Sequence, residues 1–272
     1  RSTLFPYTTL FRSRDFNDDK TLIAYVARIS QTEDDREDEF HLLNVVSGEN
    51  RLICTDKADF RMTWSEIACS PDNSGAILTV LKNVNRTHTN MAYLDFASGE
   101  YTVITNPELE ASLSGCAAIS PWYSQEVAYF LSDQSGFANL YSYNRATGKT
   151  VQVTDYKEDL SAKWIEADGQ KLLVAVSTSP EGSVVRILNP EGEELASALY
   201  PATLSLETTV GNKAYFQAGA TDILFQIWEV GYEGGALVQK VVVDLPESTR
   251  KSMIASHAQK LSIPTFDTVP AT

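Results

Sequence analysis

The chain has 272 residues, of which 43% are hydrophobic, enough for one large domain or two modest ones around a real apolar core. With 36 acidic residues against 22 basic ones it carries a formal charge of −14, a sign that argues against a nucleic-acid backbone or an anionic membrane surface as partner. No run of 18 apolar residues occurs that could span a bilayer, and the odd trio Cys54, Cys69 and Cys116, without C-x-x-C spacing, reads as buried thiols rather than a disulfide framework or a zinc site.

The first thirteen residues, RSTLFPYTTLFRS, stand apart. They hold no acid, no continuous apolar core and no small-residue cleavage site, so they do not read as a signal peptide, and Pro6 interrupts them as a strand. From Thr3 to Ser13 the segment resembles, residue for residue, the in-frame translation of a short-read sequencing adapter. Residues 1–13 are therefore expected to be non-native, and the innermost strand of the first unit is expected to be missing or replaced.

From residue 14 to about 245 two landmarks alternate. A polar turn enters an apolar strand at NDDKTLIAYVA (17–27), and a glycine hairpin follows in HLLNVVSGENRLICT (41–55). The pair recurs as SPDNSGAILTVL (70–81) with MAYLDFASGEYTVIT (91–105), then as SPWYSQEVAYFLS (120–132) with LYSYNRATGKTVQVT (140–154). It recurs again as ADGQKLLVAV (167–176) with VRILNPEGEELA (185–196), and last as VGNKAYFQA (210–218) with IWEVGYEGGALVQKV (227–241). Trp64 and Trp164 sit just upstream of two of the polar turns. The hairpin glycines Gly48, Gly99, Gly148, Gly192 and Gly234 are 51, 49, 44 and 42 residues apart. Glycine suits those turns because it tolerates positive φ, and the flanking Tyr93, Leu94, Val103, Ile104, Tyr141, Tyr143, Val151 and Val153 suit half-buried strands. Each unit reads strand, polar turn, strand, longer loop, strand, glycine hairpin, strand. Four short antiparallel strands every 40 to 50 residues predict an all-β fold, a β-propeller of four-stranded blades with about five blades visible in an incomplete ring. A β-sandwich is the alternative, but it has no reason to repeat the same two turns in the same order five times.

The polar turns resemble degenerate copies of the Ser-Pro-Asp-Gly-Lys signature of the WD-like repeats in TolB and in the prolyl oligopeptidase family of serine peptidases. Residues 130–155, FLSDQSGFANLYSYNRATGKTVQVTD, resemble a peptidase propeller blade, although Trp122-Tyr123 replace Asp-Gly and Asn73-Ser74 intervene before Gly75. In the tail, Glu247 to Lys260 are compatible with a helix. The segment LSIPTFDTV (261–269) is similar to the linker through which bacterial members of that family enter an α/β-hydrolase domain, and the final Pro-Ala-Thr departs from it. The resemblance covers roughly 14–269. It implies a non-catalytic propeller (14–245), a linker (246–272), and a nucleophile elbow and triad beyond residue 272. It also implies the chain's own hydrolase domain and a peptide substrate as partners, in the periplasm or cytoplasm of a bacterium.

No catalytic constellation emerges within the chain itself. Gly-x-Ser-x-Gly is absent, and His41, His88 and His257 neighbour no serine in an activating context. Asp15 to Asp19 imitate a calcium loop but lack the sixth-position glycine (Lys20) and twelfth-position glutamate (Val26). The acidic run Glu33 to Glu39 reads as a solvated connection, Asn85-Arg-Thr87 as a bare sequon, and Arg61, Arg86 and Arg145 as ordinary surface residues. No metal, cofactor or substrate-binding residue is assigned, and the fragment is expected to be inactive alone. The leading expectation is a propeller that gates peptide access to a hydrolase domain. The alternatives are a free-standing TolB-like or WD-like binding module, and a propeller enzyme using its own channel.

Overall fold

Each of the five hairpin glycines adopts the left-handed backbone its turn requires, with φ of 74° at Gly48, 70° at Gly99, 66° at Gly148, 88° at Gly192 and 57° at Gly234. Four of these turns begin with a side-chain amide or carboxylate that accepts from the turn's own N–H groups. Asn44 Oδ1 accepts from Val46 and Ser47, and Asp95 Oδ1 from Ala97 and Ser98. Asn144 Oδ1 accepts from Thr147 and Asn189 Oδ1 from Glu193. The hairpins are thus specified locally, by an Asx residue that mimics the backbone and a glycine that supplies positive φ.

A computed structural model describes residues 11–16, 20–28, 38–57, 59–82, 89–107, 116–220, 223, 225–247 and 249, with backbone alone for 11–16 and 63–66. Twenty strands form five sheets of four. Blade one comprises β1 (Phe11–Phe16), β2 (Leu22–Arg28), β3 (Asp38–Asn44) and β4 (Asn50–Thr55). Blade two comprises β5 (Phe60–Cys69), β6 (Gly75–Lys82), β7 (Thr89–Asp95) and β8 (Tyr101–Val103). Blade three comprises β9 (Cys116–Ile119), β10 (Val127–Ser132), β11 (Asn139–Asn144) and β12 (Lys149–Gln152). Blade four comprises β13 (Leu160–Ala167), β14 (Gln170–Ser179), β15 (Gly182–Leu188) and β16 (Glu194–Tyr200). Blade five comprises β17 (Thr203–Val210), β18 (Lys213–Gly219), β19 (Gln226–Glu233) and β20 (Ala236–Asp244). Every sheet is an antiparallel meander in chain order, so the chain forms a β-propeller. The innermost position of blade one is filled by β1, half of it from the adapter-like segment, with Ser13 opposite Val26 and Phe16 opposite Ile23.

The blades stack because their second and third strands are apolar on both faces. In β10, Phe130 packs toward blade two while Tyr129 packs toward blade four. In β14, Leu173 and Ala175 face blade three, and Val174 and Val176 face blade five. This period-two division explains the near-continuous apolar runs AILTVL, VAYFL and LLVAV. Four apolar cores result, one between each pair of successive blades. No fifth such core joins blade five to blade one among the described residues. Blade five instead carries a charged cluster, in which Lys213 Nζ and Tyr215 OH donate to the Glu229 carboxylate at 2.7 and 2.9 Å, and exposes Val238, Val241, Val242 and Val243 along β20.

The meander sorts the connections onto two faces of the disc. First-to-second turns and glycine hairpins share one face, here the turn face. Second-to-third loops and blade-to-blade connectors share the other, the loop face, and the chain leaves β20 from that same loop face at Asp244. The helix-compatible stretch expected from Glu247 to Lys260 lies, apart from Glu247 and Thr249, outside the described residues, as does the linker-like 261–269.

Candidate functional site

The first strands of blades two to five surround an axial cavity of about 370 Å³. Its wall comprises Ile67 of β5, Ala117 to Ile119 of β9, Ser161 to Lys163 of β13, and Leu206 of β17, together with Ser120 and Leu131. Small side chains from β9 and β13 keep it open, since larger ones there would fill the axis. Toward the loop face lies a second cavity of about 610 Å³, lined by Phe137, Lys157, Glu158, Asp159, Val176, Thr178 to Pro180 and Leu204. Ser161 lines both, so the two meet at that residue.

The charged groups around the outer cavity are mostly fixed. Glu158 Oε2 accepts from Ser177 Oγ and lies 3.5 Å from Arg186 Nη2, and Arg186 also donates to Ser177 Oγ at 2.7 Å and lies 4.5 Å over the Tyr156 ring. Asp159 Oδ1 accepts from the Ala138 N–H at 2.7 Å, bracing the connector against the loop before β11. In the axial cavity the situation is the reverse. Among the described residues Lys163, Ser161 and Ser120 have no side-chain hydrogen bond or ion pair, and of the described lining residues Lys163 alone is ionisable.

The residues singled out in the sequence lie elsewhere. Arg145 is a clamp between blades two and three. It meets Asp72 in a bidentate pair at 2.6 and 3.1 Å, donates to Ser74 Oγ at 2.6 Å, reaches Glu126 at 3.3 Å, and sits over the Trp122 ring. That guanidinium holds the Asp72 carboxyl well below the usual range. His41 bonds Glu39 at 2.7 Å and stacks on Tyr25, a packing role on the far face of blade one. Arg61 lies in β5, where its charge favours the ionised Asp56 carboxylate. His88, Arg86, Asn85, His257 and the side chains of Asp15 to Asp19 and Trp64 fall outside the described residues, and of the acidic run only Asp38 and Glu39 fall within them.

Asp38 is buried, accepts from Arg28 Nε at 3.3 Å, and donates its backbone N–H to Asp56 Oδ2. Asp56 also accepts from the Met62 N–H at 2.6 Å, and burial raises its carboxyl to about 6 against those two bonds. It occupies in the blade one to two connector the bracing role that Asp159 plays later. Burial likewise raises the thiols of Cys54 to about 12 and Cys116 to about 11. All three cysteines are free. Among the described residues no group of three or more His, Cys, Asp or Glu stands close enough to hold a metal ion, and no helix is long and apolar enough to cross a membrane.

No family model matches the sequence, and no curated protein matches it. The fold, however, is shared with many solved structures. The chain is similar to dipeptidyl peptidase 4 of Porphyromonas gingivalis at 15% identity and a TM-score of 0.58, covering 85% of this chain and 37% of that one. It is similar to a puromycin-hydrolyzing peptidase of Mycobacterium tuberculosis at 14% identity and a TM-score of 0.60, covering 86% and 38%. TolB from Acinetobacter baumannii matches at 19% identity and a TM-score of 0.50, covering 86% and 57%. The chain therefore spans well under two thirds of these structures. At such identities the likeness is one of fold.

The sequence did not single out Lys163, Ser161, Ser120, Glu158 or Asp159. The available signal was the alternation in LSAKWIEA, which marks Ser161 and Lys163 as facing away from the apolar side of β13 without saying what they face.

Proposed function

We propose that the chain is the propeller of a prolyl-oligopeptidase-like serine peptidase, a non-catalytic ring that gates peptide access to an α/β-hydrolase domain. The observation that carries this reading is topological. The chain leaves β20 on the loop face, the face on which the outer cavity lies, and the peptidase-linker-like segment 261–269 follows. A domain attached there would sit over the axis. The fold likeness to two peptidases supports the reading. Rigid blades holding loops around a channel suit a filter that admits short peptides and excludes folded chains.

The test is the complete gene. The reading frame continued past residue 269 is expected to encode Gly-x-Ser-x-Gly within a hydrolase pattern. The full-length enzyme should cleave short peptides while sparing a folded protein that its isolated hydrolase domain cuts. A complete locus without the elbow would overturn the reading. The second reading, a free-standing TolB-like binding module, rests on the larger share of TolB that the chain covers, 57% against 37% and 38% for the two peptidases.

A further inference from the structure

We propose that β20, the outer edge of blade five, pairs antiparallel with β20 of a second copy of this chain, joining two four-stranded sheets across a two-fold axis. This interaction surface stands apart from the peptidase reading.

β20 is the last strand of its sheet and offers the longest unbroken edge on the rim. Among the outer strands, β8 and β12 have three and four residues, and β4 and β16 each meet their neighbour with a register shift. In β20 the run Ala236 to Val241 pairs with β19 without interruption, and the shift comes only beyond it, at Val242. Short and bulged outer strands blunt a sheet edge, and this run is neither. It is also exposed, Val238 by 50% and Val241 by 41%.

The hairpin decides which backbone groups point outward. Gly234 and Gly235 form a two-residue connection, so Glu233 and Ala236 are the bonded pair that closes it. Bonded and non-bonded pairs alternate from there. The N–H and C=O groups of Ala236, Val238 and Lys240 therefore face β19, and those of Leu237, Gln239 and Val241 face outward. The Tyr232 N–H, opposite Leu237, accordingly goes to the Asn212 carbonyl at 3.1 Å instead of to β20. No backbone bond joins Leu237, Gln239 or Val241 to another segment among the described residues.

A second copy fits because these three outward positions are symmetric about Gln239. Turned end for end, the run sets Gln239 opposite Gln239, Leu237 opposite Val241 and Val238 opposite Lys240. Such an isologous register forms about six N–H···O bonds, two at each outward pair. Charge permits it as well. The chain carries −14, but residues 236–243 hold no acid and one lysine, and each Lys240 lies opposite its own Glu229 on β19. The run also lies toward the turn face, away from the exit of the chain at Asp244. One strand pair buries less than the roughly 1,200 Å² of stable complexes, so the expected dissociation constant is on the order of 100 μM.

The test is analytical ultracentrifugation of the 272-residue chain at concentrations bracketing that value, with Gln239→Pro, Val241→Lys and the double variant Leu237→Glu/Val241→Lys. The wild type is expected to pass from monomer to dimer. Q239P removes an outward N–H and spares the ladder to β19, so it should weaken the dimer about tenfold or more. V241K should weaken it too, and adding L237E should restore it. Those two positions are about 13 Å apart within one strand and meet only across the axis. Wild-type melting temperatures at low concentration show that the variants fold. The wild type supplies a check that needs no variant: amide exchange at Leu237, Gln239 and Val241 should slow as concentration rises, while Val238 and Lys240 stay constant. A monomer throughout, a dimer indifferent to Q239P, or a double variant no better than V241K overturns the inference. Protection of the three amides that is independent of concentration overturns it as well, by showing that the same chain covers its own edge. Each of these failures would leave the peptidase reading intact.

Discussion

Removing the Arg145 side chain should loosen the seam between blades two and three. Its guanidinium makes a bidentate pair with Asp72 at 2.6 and 3.1 Å and a further bond to Ser74, both on the turn between β5 and β6. Side-chain exposure is 12% for Arg145 and 34% for Asp72, so the pair is neither solvated nor dry. Exposed pairs contribute about 0.2–1 kcal/mol, and hydrogen bonds to charged groups about 1.5–3 kcal/mol when water is excluded. Screening at the Asp72 side places this pair between those limits, and the guanidinium over the Trp122 ring adds about 0.5 kcal/mol. Arg145→Met, which keeps the aliphatic stem, should therefore cost about 2 kcal/mol, or roughly 4–8 °C in melting temperature for a domain of this size.

The pH dependence follows from Asp72. Its carboxyl is held below its unfolded value, so the pair's contribution is complete above about pH 4 and is lost as pH falls through the folded value. Thermal melts of wild type, R145M, Asp72→Asn and the double variant at pH 7 close the cycle, with a coupling energy of about 1 kcal/mol or more expected. A coupling near zero, or one that vanishes in 1 M salt, would refute the argument, because it would mark Arg145 as an ordinary exposed ion pair.

Three further outcomes are expected. Gly99→Ala should cost about 2 kcal/mol or more, because a Cβ there would lie 2.5 Å from the Ile53 carbonyl oxygen, whereas Gly148→Ala meets open space and should cost about 1 kcal/mol from φ alone; paired melts distinguish them. Asp56 has a folded value raised to about 6, so the folded state binds its proton first, and stability attributable to it should rise as pH falls from about 6 toward 4; Asp56→Asn should remove that slope in denaturant titrations across the range. The buried Cys116 thiol, raised to about 11, should react with a disulfide reagent at pH 8 only as fast as the chain opens, and rapid labelling would contradict its burial, while the half-buried Cys54, raised to about 12, should label slowly but sooner.

What could be read from the sequence were the features each segment specifies by itself. All five polar turns fall between first and second strands and all five glycines between third and fourth, because Asx residues and positive-φ glycines act within a few positions. The two-sided burial of β6, β10 and β14 was equally visible as unbroken apolar runs. Trp122 was not. In the sequence it is a departure from an Asp-Gly motif, yet it is almost fully buried and donates Nε1–H to the Ala68 carbonyl at 2.8 Å, a partner 54 residues away. Lys163 was hidden for a related reason. Alternation tells which residues of β13 leave the apolar face, but whether that side is solvent or a channel depends on the angular placement of neighbouring blades, which no local pattern encodes. The bulges that shift register between β3 and β4, β15 and β16, and β17 and β18 were silent as well, since none is marked by a glycine or proline at the slip.

The two faces of the disc consequently differ in how they are held. The turn face combines bonds between near neighbours, Ser70 with Asp72, Asp72 with Ser74 and Asx residues with their own hairpins, with bonds across blade seams, Arg145 to Asp72 and Tyr129 to the Pro190 carbonyl. The loop face depends on partners far apart in sequence, with Asp56 bracing Asp38, Asp159 bracing Ala138, and Arg186 bonding Ser177 and facing Glu158. A substitution confined to one turn-face hairpin disturbs that hairpin, whereas one at Arg145 or Asp72 loosens the seam between blades two and three. A substitution on the loop face moves a connector and with it the wall of the outer cavity. The likeness to the peptidases and to TolB at identities of 14–19% is accordingly one of fold, and the chemistry of the axis has to be read from this chain's own residues.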